Sequence, residues 1–280
     1  MSAVFALLAT VLYGGADFLG GLTTRRAPAA TVVVTSHLAG AVLILAAAPL
    51  VGGDGFAAAD LWWGAAAGGA GAVGLVVLYH ALATTRFAVA GPAAALSGAV
   101  VPVAFGVAVG ERPEALAWAG VALAVPALLL IPSGRGAGGV RLEHASRALV
   151  LGTLAGAAFG LYGVFLSQAG DQAGLWPLVG SRLASIPLVG ALALARNRPL
   201  VAAGGARLWA IATGIADMAA NVLFLLAIQR GLLSLVVVIT SLYPAVTVAL
   251  ARGVLHEEVA RRQYAGLVLA GSGIVLISLA

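Results

Sequence analysis

The sequence predicts an all-α integral membrane protein with ten transmembrane helices, built as two inverted halves of five. Three observations carry that expectation. Only 9% of the residues are charged while 62% are apolar, and a soluble domain carries roughly 25% charged residues. The apolar residues gather into ten runs near the length of about 20 residues that a bilayer-spanning helix needs. Finally, features of the first half return about 146 residues later in the second.

The runs cover residues 3–23, 29–50, 61–83, 88–109, 115–132, 148–168, 174–195, 208–229, 232–252 and 263–280. Short polar stretches of Gly, Pro and charge separate them: "TTRRAP", "GGDG", "TTR", "GERPE", "QAGDQAG", "ARNRP", "QRG" and "LHEEVARR". No stretch alternates with the period of two that a half-buried strand requires, so every run reads as a helix. The one longer break, "SGRGAGGVRLEHASR" at 133–147, falls near the midpoint. It divides a first repeat, 1–132, from a second, 148–280.

The repeat rests on a near-constant offset. "SHLA" at 36–39 precedes "SRLA" at 181–184 by 145 residues. Trp63 and Gly68 precede Trp209 and Gly214 by 146, as Glu111 and Gly120 precede Glu257 and Gly266, while Arg86 and Ser97 precede Arg230 and Ser241 by 144. An odd number of helices per copy makes the copies enter the membrane from opposite sides, with a binding site expected near the midplane between them.

All 15 basic residues are arginine. Loops after runs 1, 3, 5, 7 and 9 carry 2, 1, 3, 3 and, with Arg252 at the end of run 9 included, 3 of them, and loops after runs 2, 4, 6 and 8 carry 0, 1, 0 and 1. That bias places the odd-numbered loops in the cytoplasm and both termini outside a cytoplasmic membrane. The arginines stand singly or in pairs between apolar runs, so the formal charge of +5 marks topology, and no nucleic-acid partner is expected. With no cysteine there are no disulfides, thiolate metal sites or cysteine nucleophiles. The first run has no basic segment before it, so no cleaved signal peptide is expected. No HExxH, GxSxG, carboxylate-rich or Walker motif occurs, which argues against an enzyme, a metal site, a cofactor or direct use of ATP.

The residues resemble those of the drug/metabolite transporter superfamily, in its ten-helix members made of two EamA-like repeats. The resemblance lies in Tyr13-Gly14 and Phe159-Gly160 in the first helix of each repeat and in Arg182 in the second helix of the second repeat. It continues in "LSGAVVP" and "TSLYP" in the fourth helices, and in Glu111 with Gly120 and Glu257 with Gly266 at the fifth. His37 stands where the second repeat has Arg182, so the two halves differ chemically. The resemblance implies a secondary active transporter, most simply an exporter, of small metabolites, amino acids or drugs. It would work by alternating access as a monomer or homodimer in the lipid bilayer, driven by protons or by exchange. Relatives are usually drawn with cytoplasmic termini, opposite to the arginine bias here. A passive channel and a membrane-embedded enzyme are the alternatives.

Two carboxylates fall inside runs, Asp17 and Asp217; the other acidic residues lie at helix ends or in loops, where a solvated role is expected. An ionisable group at membrane depth is a functional candidate by default. Asp17, eight residues before Arg25, lies about 12 Å deep at 1.5 Å per residue, and His37 lies at comparable depth on the returning helix. The two are candidates for binding a proton or a cationic substrate group, or for clamping two helices together. Arg182 and Asp217, with Asn221 one turn beyond, are candidates for a substrate site or a structural pair. Tyr13 is a further substrate-binding candidate, and Tyr162 and Tyr243 could line the same cavity. Glycines at four-residue spacing suit close helix packing, and Pro102 and Pro244 are candidate gating kinks.

Overall fold

A computed structural model describes residues 1–51, 57–84, 87–130, 142–255 and 261–279. Their regular structure is helical, in eleven α-helices. These are α1 (Ser2–Thr24), α2 (Ala29–Ala47), α3 (Ala58–Thr84), α4 (Phe87–Ala108), α5 (Ala115–Leu130) and α6 (Leu142–Ser167), then α7 (Trp176–Ala195), α8 (Gly204–Ile228), α9 (Leu233–Thr240), α10 (Tyr243–Leu255) and α11 (Arg261–Leu279). Six helices contain segments long and apolar enough to cross a bilayer, and four shorter apolar segments bring the set to ten.

Several boundaries shift by a few residues, α3 beginning at Ala58 and α8 at Gly204, and two departures are larger. The helix α6 begins at Leu142, so residues 142–147 of the expected linker are already helical, while 133–141 lie outside the described residues. The ninth run is two helices, broken at Ser241 and Leu242. Pro244 supplies the reason: it has no N–H to donate to the Thr240 carbonyl, and its ring crowds that same carbonyl. Pro102 sits inside a continuous α4, so of the two prolines only Pro244 interrupts its helix.

Burial separates a centre from a periphery. Every residue from Thr31 to His37 of α2 is buried, as is every residue from Pro177 to Arg182 of α7, so these segments are covered all round while the later turns of both helices expose leucines. By contrast, α5 packs mainly on α11 and leaves Leu116, Trp118, Val125 and Leu129 exposed on the outside of the bundle. Around the centre, α3 packs on α6 and α7, α8 on α1 and α2, α4 on α6, and α9 with α10 on α1.

These contacts come in reciprocal pairs. Gly68 on α3 meets the backbone of Ser181 on α7 so closely that a Cβ would overlap it, and Gly214 on α8 meets the backbone of Ser36 on α2 in the same way. Likewise Gly14 lies against Tyr243 and Val246, and Gly160 against Val101 and Pro102. Helices approach this closely only where a side chain is absent.

Candidate substrate cavity

A cavity of about 180 Å³ lies where the two halves meet. Its walls come from α1, α2, α3 and α4 on one side of the sequence midpoint and from α6, α7, α8, α9 and α10 on the other. All six sequence-derived binding candidates, Tyr13, Asp17, His37, Arg182, Asp217 and Asn221, line it. The residues come together because α1, α2, α7 and α8 each place a polar side chain near mid-length on the inward face.

Arg182 donates from Nη2 to Asp217 Oδ2 at 2.5 Å, tying α7 to α8. The pair is unequally buried: the arginine side chain is 8% exposed and the carboxylate 31%. The guanidinium uses only part of its fork, since its buried Nε has no hydrogen-bond partner. Gly40 on α2 lies close beside α8, where a Cβ would stand 3.2 Å from both the Gly214 carbonyl and Met218. His37 is 6% exposed and its Nδ1 also lacks a partner. Asp17 enters no ion pair or side-chain hydrogen bond among the described residues, so the alternative of an Asp17–His37 clamp has no direct contact here. Both groups instead border the cavity separately.

Asn221 organises the opposite wall. Its Nδ2 donates to the Asp217 carbonyl one turn earlier, at 2.7 Å, which turns Oδ1 outward. That oxygen accepts from Tyr13 at 2.9 Å and also from Tyr162. Phe224 completes the wall, stacked on Tyr162 at 6.3 Å between ring centroids and edge-on to Tyr13 at 6.4 Å. The cavity therefore offers an aromatic surface, one unpartnered carboxylate and one ion pair. Among the described residues that line it, two carboxylates stand against one guanidinium, a formal excess of one negative charge when His37 is neutral.

Sequence reasoning does not pick out Phe224, Ser181, Ser185 or Thr240 as cavity residues. A signal exists for the first three. Asp217, Asn221 and Phe224 follow the i, i+4, i+7 spacing of one helix face, and Ser181 and Ser185 bracket Arg182 on α7. Thr240 is brought in only by the break after α9. Of the gating candidates, Pro244 stands beside the cavity residue Tyr243, and Pro102 packs next to Gly160.

Two acidic residues expected to be solvated are not. Asp60 is 4% exposed; it accepts from the Ala57 N–H at 2.8 Å and from the Gly170 N–H at 2.8 Å, tying the start of α3 to the turn after α6. Glu111 accepts from the backbone N–H groups of Leu233 and Ser234 at 2.7 and 3.1 Å. Unpaired N–H groups open every helix, and Asp60 satisfies one before α3 while Glu111 satisfies two at the start of α9. Glu257 and Arg86 lie outside the described residues.

Residues 146–279 match the EamA-like transporter family. No curated protein matches the sequence. One solved crystal structure is similar over 99% of this chain and 96% of its own, with a TM-score of 0.79 at 19% identity, a likeness that shows a shared fold. The second half of the chain is therefore similar to the EamA-like transporter family, and six helices long and apolar enough to cross a bilayer among the described residues suit a multi-pass membrane protein.

Proposed function

We propose that the chain is a secondary active transporter that exports a small metabolite, amino acid or drug by alternating access, with Asp17 exchanging a proton or a cationic substrate group. The observation that carries this reading is the unpartnered Asp17 carboxylate in a cavity walled by both halves of the chain. A carboxylate held in an apolar wall is costly without a ligand or a proton. The excess negative charge of the cavity favours one bound proton or one monovalent cation at a time. Competition between them for one site would couple their movements in opposite directions. Arg182 and Asp217 hold each other and present their remaining edges to the substrate.

The two halves, 1–132 and 148–280, are read as inverted repeats. Support comes from the reciprocal contacts of Gly68 with Ser181 and Gly214 with Ser36, whose positions differ by the same 145–146 residues as the sequence repeat. Rocking of one half against the other would open the cavity to each face in turn. The hydrogen bond from the Tyr13 hydroxyl on α1 to Asn221 on α8 crosses between the halves and is a contact such a motion exchanges, while Tyr162 and Asn221 move together. The arginine bias supports cytoplasmic odd-numbered loops and external termini.

Counterflow tests this reading. A thermal-shift screen of amino acids, sugars and organic cations on purified protein identifies a ligand, which is then loaded into proteoliposomes. Saturable uptake accelerated by substrate on the opposite side is expected of a transporter. Linear flux without acceleration would indicate a channel, and chemical conversion of the ligand an enzyme.

A further inference from the structure

We propose that Glu111 is a positioning residue for the cavity: it joins the end of α4, in the first half, to the broken helix α9 in the second. The joint is built from both sides. Gly110, at φ +104°, makes the turn that follows α4, and the Glu111 N–H donates to the Gly106 carbonyl at 2.9 Å. The Glu111 carboxylate folds back against Gly106, into space that a Cβ would fill. Its two oxygens then take the first two N–H groups of α9, 122 and 123 residues further along the chain.

The other end of α9 reaches the cavity. Val237 and Thr240 of the helix line the cavity, as does Ser241 in the break that follows. Eight residues at 1.5 Å per residue put that break about 12 Å from the carboxylate. Such a short helix keeps little helical stability of its own. Its direction is set by what holds its ends: Glu111 at the start, and at the finish Thr10 of α1, whose hydroxyl donates to the Ile239 carbonyl at 3.1 Å. Because α4 also walls the cavity through Ala94, Ala95 and Gly98, a displacement of α4 is transmitted through Glu111 to the Thr240–Ser241 break. The inference uses the proposed function only in treating this cavity as the transport path.

The absence of cysteine makes the test direct. Ser241→Cys in the full-length protein, in sealed membranes, reports access to the break by its labelling rate with a membrane-impermeant maleimide applied from the Glu111 side. Ser181→Cys, on α7, reports another part of the same cavity. Adding Glu111→Ala should raise labelling in the Ser241→Cys background about fivefold, the population change expected from losing one helix cap. The same addition should change labelling little in the Ser181→Cys background. Glu111→Gln, which keeps one acceptor oxygen, should give an intermediate rate and serves alone if the alanine variant does not fold. Gly106→Ala, which displaces the carboxylate, should act like Glu111→Ala. Unchanged labelling at position 241, or an equal rise at both positions, would overturn the proposal. Either result is read without a substrate, so it stands apart from the outcome of counterflow.

Discussion

Removing either partner of the Arg182–Asp217 pair should destabilise the protein, and the two losses should differ. A buried charge stripped of its partner costs about 3–5 kcal/mol. Asp217→Ala leaves a guanidinium only 8% exposed, with its Nε already unpartnered, so this variant belongs at the upper end of that range. Arg182→Ala leaves a carboxylate 31% exposed to the cavity, where water solvates it, so its cost belongs at or below the lower end. At about 2–4 °C per kcal/mol for a chain of this size, the thermal midpoint should fall by roughly 10–15 °C in Asp217→Ala and by less than about 10 °C in Arg182→Ala. The double variant should be more stable than Asp217→Ala, since it leaves no orphaned charge. Thermal unfolding of all three in one detergent, followed by Trp fluorescence, measures this. Equal losses, or a larger loss for Arg182→Ala, would refute the assignment of the arginine as the more deeply buried partner.

Asn221→Leu should destabilise by about 2–4 kcal/mol, because it strands two tyrosine hydroxyls that now share one acceptor. Tyr13→Phe alone should cost about 1 kcal/mol, and denaturation midpoints separate the two cases. Orientation is read from single cysteines: one at position 171 should label from outside, and one at position 198 only after permeabilisation. The reverse pattern would invert the topology and leave the fold unchanged.

The helices are legible because a bilayer demands long apolar runs, and the run boundaries at α1, α2, α7 and α8 follow Pro, Gly and Arg in the sequence. The break after α9 is half legible. Pro244 announces an interruption, yet Pro102, at the matching place, lies inside an unbroken α4, so proline alone does not decide. Among site residues, Asp17, Asp217 and Arg182 stand out because charge at membrane depth is rare. Phe224 does not, and Tyr162 only weakly, because an aromatic side chain in an apolar helix has the same local signature whether it faces lipid, core or cavity. Glu111 reads locally as a solvated turn residue. Its partners are backbone N–H groups 122 and 123 residues away, and no local pattern announces which helix start a carboxylate will cap.

Coupling at Asp17 is the feature on which the transport reading most depends. Asp17→Asn keeps the size and hydrogen-bonding capacity of the side chain and removes its charge. In proteoliposomes carrying an imposed pH gradient, the wild-type protein should transport its ligand faster than without the gradient. The Asp17→Asn protein should fold normally and show no such acceleration. Acceleration at the wild-type rate in Asp17→Asn would contradict a coupling role for this carboxylate.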